Sequence, residues 1–231
     1  MGKSDLVMDW ATHKAAKHAC QKWHYSGCLP SGKLFKVGAW EAGRFIGVVL
    51  FGRGATPNLC KPYGLKQTEC VELVRIAMRD HETPVSRIVS LALRKLRGFS
   101  PGVRLVVSFA DPGQNHHGGI YQAGNWIYTG QSDGGRFYMV HGRMTHPRTV
   151  IARGGENSLR GAKRMDPNAE AVMVEGKHRY VMPLDKTMQQ QVQHLSKPYP
   201  KREKQAMAGT TGTATGQHRS SRSISAEVSD A

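Results

Sequence analysis

The densest run of side chains able to do acid–base chemistry lies between positions 108 and 126: Ser108, Asp111, Asn115, His116, His117, Tyr121 and Trp126. A carboxylate and a phenol in one short segment suit a proton acceptor and a proton donor acting on one substrate. At a strand end, a turn and the first turns of a helix, this cluster is where an active site is expected. Gly118 and Gly119 weaken helix propensity there, which points to close backbone approach to a bound molecule. The plainer alternative makes Asp111 a helix cap and Tyr121 a packed aromatic with its hydroxyl at the rim.

Three further groups bear on the same chemistry. Arg75 interrupts an apolar run, so its guanidinium must be paired or face a polar cleft. Glu69 or Asp111 would be the structural partner, and developing negative charge or a donor carboxylate the catalytic one. His24 and Tyr25 either clamp a substrate base or staple a helix end, and Trp126 is a second stacking candidate. His116 and His117, with His24 and Asp111 nearby in type, have the makings of the two-histidine, one-carboxylate face that suits ferrous iron. The chain carries 11 histidines, so such proximity arises easily by chance.

These residues need a frame, and the hydrophobic pattern supplies an α/β (α+β) one. Residues 9–23 read as a helix. Strands at 34–40 and 44–51 flank the turn Glu41-Ala42-Gly43 and make a hairpin. Residues 71–78 read as a buried strand. Thr83 as cap and Pro84 at the first helical position open a helix that Gly98 closes. Residues 103–109 form a second central strand, ending at Asp111-Pro112, with a short helix over 114–123 and strands at 126–130, 136–140 and 172–183. The stretch 145–166 is the least readable part.

Composition narrows the partner. Thirty-three Lys and Arg against 17 Asp and Glu give a net charge of +16, and a pI near 10.0. Such an excess draws a protein to polyanions, nucleic acid first. Arg87 and Arg94 on the outer side of the helix after Pro84, with Arg148, are the expected contacts to double-stranded DNA. The longest apolar run, residues 45–51, falls far short of the ~20 residues that span a bilayer. The first ten residues lack an apolar leader core, and Leu6 stands where a myristoylation signal needs Ser or Thr, so the cytoplasm is the expected location. Four cysteines without C-x-x-C spacing read as free thiols. A folded domain is expected over 1–185, followed by a basic, low-complexity and disordered tail over 186–231.

The order helix, hairpin, strand 71–78, helix, strand 103–109, helix with Tyr121, strand from Trp126 resembles the GCN5-related N-acetyltransferase superfamily over most of residues 5–183. The resemblance implies a mixed central sheet flanked by helices. It also implies that Tyr121, followed five residues later by the aromatic Trp126, is the acid toward a thiolate leaving group. Acetyl-coenzyme A or a related acyl donor would be held where the next helix opens, at Val85, Ser86 and Arg87. Here that turn reads Arg79-Asp80-His81-Glu82-Thr83-Pro84, with no glycine, two carboxylates, and a proline that removes a donor. The run from Ser108 through His117-Gly-Gly-Ile-Tyr121 to Trp126-Ile-Tyr-Thr-Gly130 is similar to the Mom family of phage DNA-modification proteins. That similarity implies conversion of the N6 amino group of adenine to a carbamoylmethylated form, which blocks host restriction enzymes, with the adenine flipped out of the duplex, in the cytoplasm of an infected bacterium. Two other readings compete: an acetyltransferase acting on protein or small amines, and a non-enzymatic DNA-binding protein.

Overall fold

The computed structural model describes residues 5–54 and 56–201. Alternation of half-buried and exposed residues makes Leu6–Trp10 a strand, β1. This corrects the expectation of helix from residue 9. Thr12, in an extended conformation, accepts a hydrogen bond on its side chain from the Ala15 N–H and starts helix α1 at His13–Trp23. The hairpin follows as β2 (Leu34–Glu41) and β3 (Arg44–Gly52), its turn built on left-handed Ala42 and Gly43. Next come β4 (Cys70–Met78), α2 (Val85–Phe99) and β5 (Leu105–Ala110). Helix α2 starts one residue later than expected because Pro84 occupies the cap position itself and Thr83 is engaged elsewhere, and it runs on through Gly98.

Asp111 does cap, but what it caps is a three-residue 3-10 turn at Pro112–Gln114. The expected helix over 114–123 is reduced to α3, Gly119–Gln122, because Asn115 and Gly118 both adopt left-handed backbone. Strands β6 (Ile127–Gln131) and β10 (His178–Pro183) complete a seven-stranded sheet of order β1-β2-β3-β4-β5-β10-β6. All its pairs are antiparallel except β4 with β5. Helix α2 buries Ile88, Val89, Ala92, Leu93 and Leu96 on one face of this sheet, and α1 buries Ala16, Ala19 and Cys20 on the other. A mixed central sheet with helices on both faces is the architecture expected from the sequence.

Between β6 and β10 the chain makes a second, smaller layer: β7 (Gly135–Val140), β8 (Arg143–Thr145), α4 (Pro147–Gly154), α5 (Leu159–Met165) and β9 (Glu170–Val174). Its sheet order is β8-β7-β9, and its core is Tyr138, Val140, Val150, Ala162 and Ala169. Helices α4 and α5 approach so closely that a Cβ on Gly154 would sit 2.1 Å from the Gly161 carbonyl oxygen. Glycine at the crossing erases the helical signal, which is why 145–166 resists reading from sequence. The span 172–183 likewise divides between two strands in different sheets.

The folded unit also runs past residue 185, through Lys201. Asp185 caps a helix, α6 (Lys186–Gln193), by accepting from the Met188 N–H. Met188 and Val192, one turn apart, are fully buried against β5 and β10. Two apolar residues in a Gln-rich segment carry that helix. The remainder of the expected tail, 202–231, lies outside the described residues.

Candidate active site

Strands β4 and β5 run side by side only from Cys70–Leu105 to Leu73–Ser108 and then diverge. On its other side β4 carries a bulge, because the register with β3 steps from Phe51–Leu73 to Leu50–Arg75 and leaves Val74 unpaired. Beyond Leu73 the β5-facing edge of β4 thus has no strand partner among the described residues. The crevice between diverging strands at their carboxyl ends is the usual position for ligands in α/β sheets.

Ser108 sits at the splay point, wholly buried. Its Oγ lies 2.8 Å from the Leu73 carbonyl oxygen and 2.8 Å from the Tyr121 hydroxyl. A hydroxyl has one proton. The carbonyl can only accept, so Ser108 donates to Leu73 and the Tyr121 phenol donates to Ser108. Tyr121 is therefore held as a donor, with a fixed O–H direction, where the two strands part. Burial pushes its pKa up to about 12, and the neighbouring Glu72 and Tyr25 act in the same direction. It is neutral throughout the physiological range.

An aromatic wall backs the phenol. The ring centroids of Trp126 and Tyr180 lie 5.0 and 5.1 Å from that of Tyr121. Tyr180 donates to the His117 carbonyl at 2.6 Å and accepts from Gln122 Nε2 at 3.2 Å. Gly118 has φ +83°, and a Cβ there would lie 2.3 Å from the Tyr180 ring, so the glycine expected to allow close approach admits this tyrosine. From beyond α6, Tyr199 donates to the Trp126 carbonyl at 2.7 Å, and Gln122 reaches the Pro200 carbonyl at 3.3 Å. Nothing local in the sequence marks Tyr180 or Tyr199, which reach the site through the register of β10 and from the segment after α6.

On the α1 side, Arg75 pairs with neither Glu69 nor Asp111. Its guanidinium donates to Ser26 Oγ and to the Cys28 carbonyl, and its two terminal nitrogens lie 3.8 Å from Cys28 Sγ. It thereby pins the loop after α1. Within that loop His24 Nδ1 accepts from the Ser26 N–H at 3.1 Å. Burial, then the positive charge of Arg75 and of His116, hold His24 at a pKa of about 4, so its ring is neutral with its proton on Nε2. Tyr25 stacks on His24 at 4.3 Å and meets His116 edge-on at 5.7 Å. At 59% exposure Tyr25 offers an open ring face.

Several expected roles are not what the geometry provides. Trp126 is 1% exposed and has no face to stack on a base. The Asp111 carboxylate is taken by the Gly113 N–H at 3.0 Å and by Lys177 at 2.9 Å, so it organises the turn, and Asn115 is exposed beside it. The iron face is not assembled: among the described residues no three His, Cys, Asp or Glu side chains gather as a metal site, and His116 and His117 diverge, one toward Tyr25 and the other toward Gly119. Arg87 and Arg94 lie on the exposed side of α2, whereas Arg148 belongs to α4 in the small layer.

The coenzyme A turn is also closed from within. The Glu41 carboxylate accepts from the Glu82 N–H at 2.8 Å, the Thr83 N–H at 2.9 Å and the Thr83 hydroxyl at 2.5 Å. These hydrogen bonds lower its pKa. An internal anion occupies the donors that a pyrophosphate would need just ahead of Val85, Ser86 and Arg87, so the residues present do not fit coenzyme A bound in that manner.

A family model for the Mom protein family matches residues 5–201. The methylcarbamoylase Mom of Escherichia phage Mu is 27% identical over 211 residues, covering 87% of this chain and 86% of that protein. Among solved structures, FeeM, an N-acyl amino acid synthase from uncultured soil microbes, aligns with TM-score 0.45 and 10% identity, covering 81% of this chain and 94% of that one. An agmatine N-acetyltransferase aligns with TM-score 0.38 and 10% identity, over 78% and 100% of the two chains. Among the described residues no helix is long and apolar enough to cross a membrane.

Proposed function

The chain belongs to the Mom protein family, and from that membership we propose that it is a phage DNA-modifying transferase that carbamoylmethylates the N6 amino group of adenine and so shields phage DNA from host restriction enzymes. The amino nitrogen of adenine has its lone pair delocalised into the ring and lies within the stack, so the base is flipped out of the duplex into the cleft at the β4–β5 splay. Tyr25, the open ring beside that cleft, stacks on it. The nitrogen attacks the methylene carbon of a small-molecule donor; an N–C bond forms and the bond from that carbon to the leaving group breaks. The leaving group takes the Tyr121 proton as that O–H swings away from Ser108, while the nitrogen's proton passes to solvent, which reprotonates Tyr121. A phenol with a pKa of about 12 is fully loaded with its proton at neutral pH, as an acid in this role must be.

Arg75 keeps the Tyr25 loop in place, and Trp126 and Tyr180 keep Tyr121 in one rotamer. The donor does not enter through a pyrophosphate grip at α2, because Glu41 fills it. The observation that carries the reading is the Tyr121–Ser108–Leu73 chain of hydrogen bonds at the splay. In the cytoplasm of an infected bacterium the substrate is the phage's own DNA. Enzymatic digestion of DNA from cells expressing the protein, followed by mass analysis of the nucleosides, tests the proposal. A deoxyadenosine heavier by one carbamoylmethyl group is expected, and unaltered nucleosides would leave only a DNA-binding role.

A further inference from the structure

The small layer between β6 and β10 has no part in the chemistry above, yet it is built onto the edge of the site. Its two connections to the sheet close on each other, with the Ser132 N–H donating to the Lys177 carbonyl at 2.9 Å and the Lys177 N–H donating to Ser132 Oγ at 2.9 Å. Lys177 also binds Asp111, and His178 pairs with Ala110 at the carboxyl end of β5. The root of the layer is thus fixed to the turn that leads to Tyr121.

The layer is basic, with seven Lys and Arg against three carboxylates over residues 135–174. Two of the carboxylates are already used. Glu156 bonds Arg164 at 3.1 Å and approaches Arg160 at 4.0 Å. Asp166 accepts from the His141 and Asn168 N–H groups at 2.7 and 3.0 Å. Two of the arginines outside those pairs share a cleft of about 560 Å³, lined by His141, Arg143, Thr145, Thr149 and Arg153 over Val140 and Met165. Arg143 comes from β8 and Arg153 from α4, and both are exposed. Solvated arginines on a convex surface would need no explanation. Two guanidiniums from different elements that share one concave wall focus a positive potential there, and among the described residues neither is bridged to a carboxylate. Their donors match the oxygens of a phosphodiester, and the volume admits a phosphate with its sugar.

We infer that this cleft is a seat of the DNA backbone, with Arg143 and Arg153 each contacting a phosphate of the duplex that carries the flipped adenine. The inference rests on the reading of the protein as a DNA-modifying enzyme and adds the surface that holds the duplex. The phosphate contacts thereby move off α2, where Arg87 and Arg94 stand.

The test uses the full chain, a short fluorescent duplex and anisotropy across a salt series. For the double variant Arg143→Ala/Arg153→Ala the slope of log K against log salt should become shallower by about 1.8, at about 0.9 for each phosphate no longer neutralised. Binding at low salt should weaken about tenfold or more. Arg143→Lys/Arg153→Lys should restore most of the slope, because the charge returns without the fork geometry, and Arg87→Ala/Arg94→Ala should leave it unchanged. A cleft variant with wild-type slope and an unshifted thermal midpoint would overturn the inference, as would a loss of slope confined to the α2 pair. A wild-type protein that neither binds the duplex nor modifies DNA would instead overturn the enzyme reading beneath it.

Discussion

Removing Ser108 should destabilise the protein far more than removing the tyrosine hydroxyl it holds, and the two effects should not add. Ser108 is 0% exposed and satisfies two buried groups at once, the Leu73 carbonyl and the Tyr121 hydroxyl. Ser108→Ala strands both. At about 1–2 kcal/mol for each buried polar group left unpaired, the loss is about 3 kcal/mol. For a folded unit of this size that is a fall in thermal midpoint of roughly 6–12 °C. Tyr121→Phe leaves Ser108 still bonded to Leu73 and removes one ordinary hydrogen bond, so it should cost about 1 kcal/mol. In the double variant no phenol is left unpaired, and the total should fall short of the sum by about 1–2 kcal/mol. Urea unfolding of the four proteins, followed by circular dichroism, measures the cycle. Additivity within about 0.5 kcal/mol, or a Ser108→Ala variant as stable as wild type, would refute the bridge and with it the fixed direction of the phenolic proton.

Three other outcomes follow from the same contacts. His24 has a folded-state pKa of about 4, below its usual 6.5; its contribution to stability is complete above pH 6.5 and is lost as pH falls toward 4, so unfolding midpoints taken across that window should drop in the wild type and flatten in His24→Gln. Truncation after Asp185 removes the buried Met188 and Val192; at about 1.5–3 kcal/mol per side chain the shortened protein should lose about 3–6 kcal/mol in the same urea assay, with a chain ending at Lys201, which keeps both, as the control. Coenzyme A should not raise the thermal midpoint of the wild type, because Glu41 occupies the turn, and a clear saturable increase would show that the turn opens to a pyrophosphate.

The parts legible in the sequence are those whose signals are local. The β2–β3 hairpin is marked by its turn, α2 by its apolar face, and the β5-to-Tyr121 segment by its cluster of reactive types. The pairing of Ser108 with Tyr121 falls within that segment and can be anticipated as a grouping. Long-range partners are not legible: Glu41 reaches a turn 41 residues on, Arg75 reaches back to Cys28, and Lys177 claims the Asp111 carboxylate. Each is an oppositely charged or polar group delivered by sheet register, which leaves no periodic trace in the chain. Trp126 misleads because an aromatic type does not reveal whether its face is open. The small layer is obscured by glycines that serve helix packing at Gly154 and Gly161, where composition suggests a loop.

Delivery of a proton by the Tyr121 hydroxyl in the modification step is tested most directly by nucleoside mass analysis of DNA from cells expressing Tyr121→Phe at the wild-type level, alongside duplex affinity of the purified variant. Unchanged DNA binding, a thermal midpoint lower by only a few degrees, and modified deoxyadenosine reduced by about a hundredfold or more are expected. Conversion equal to wild type in that variant would contradict the acid role.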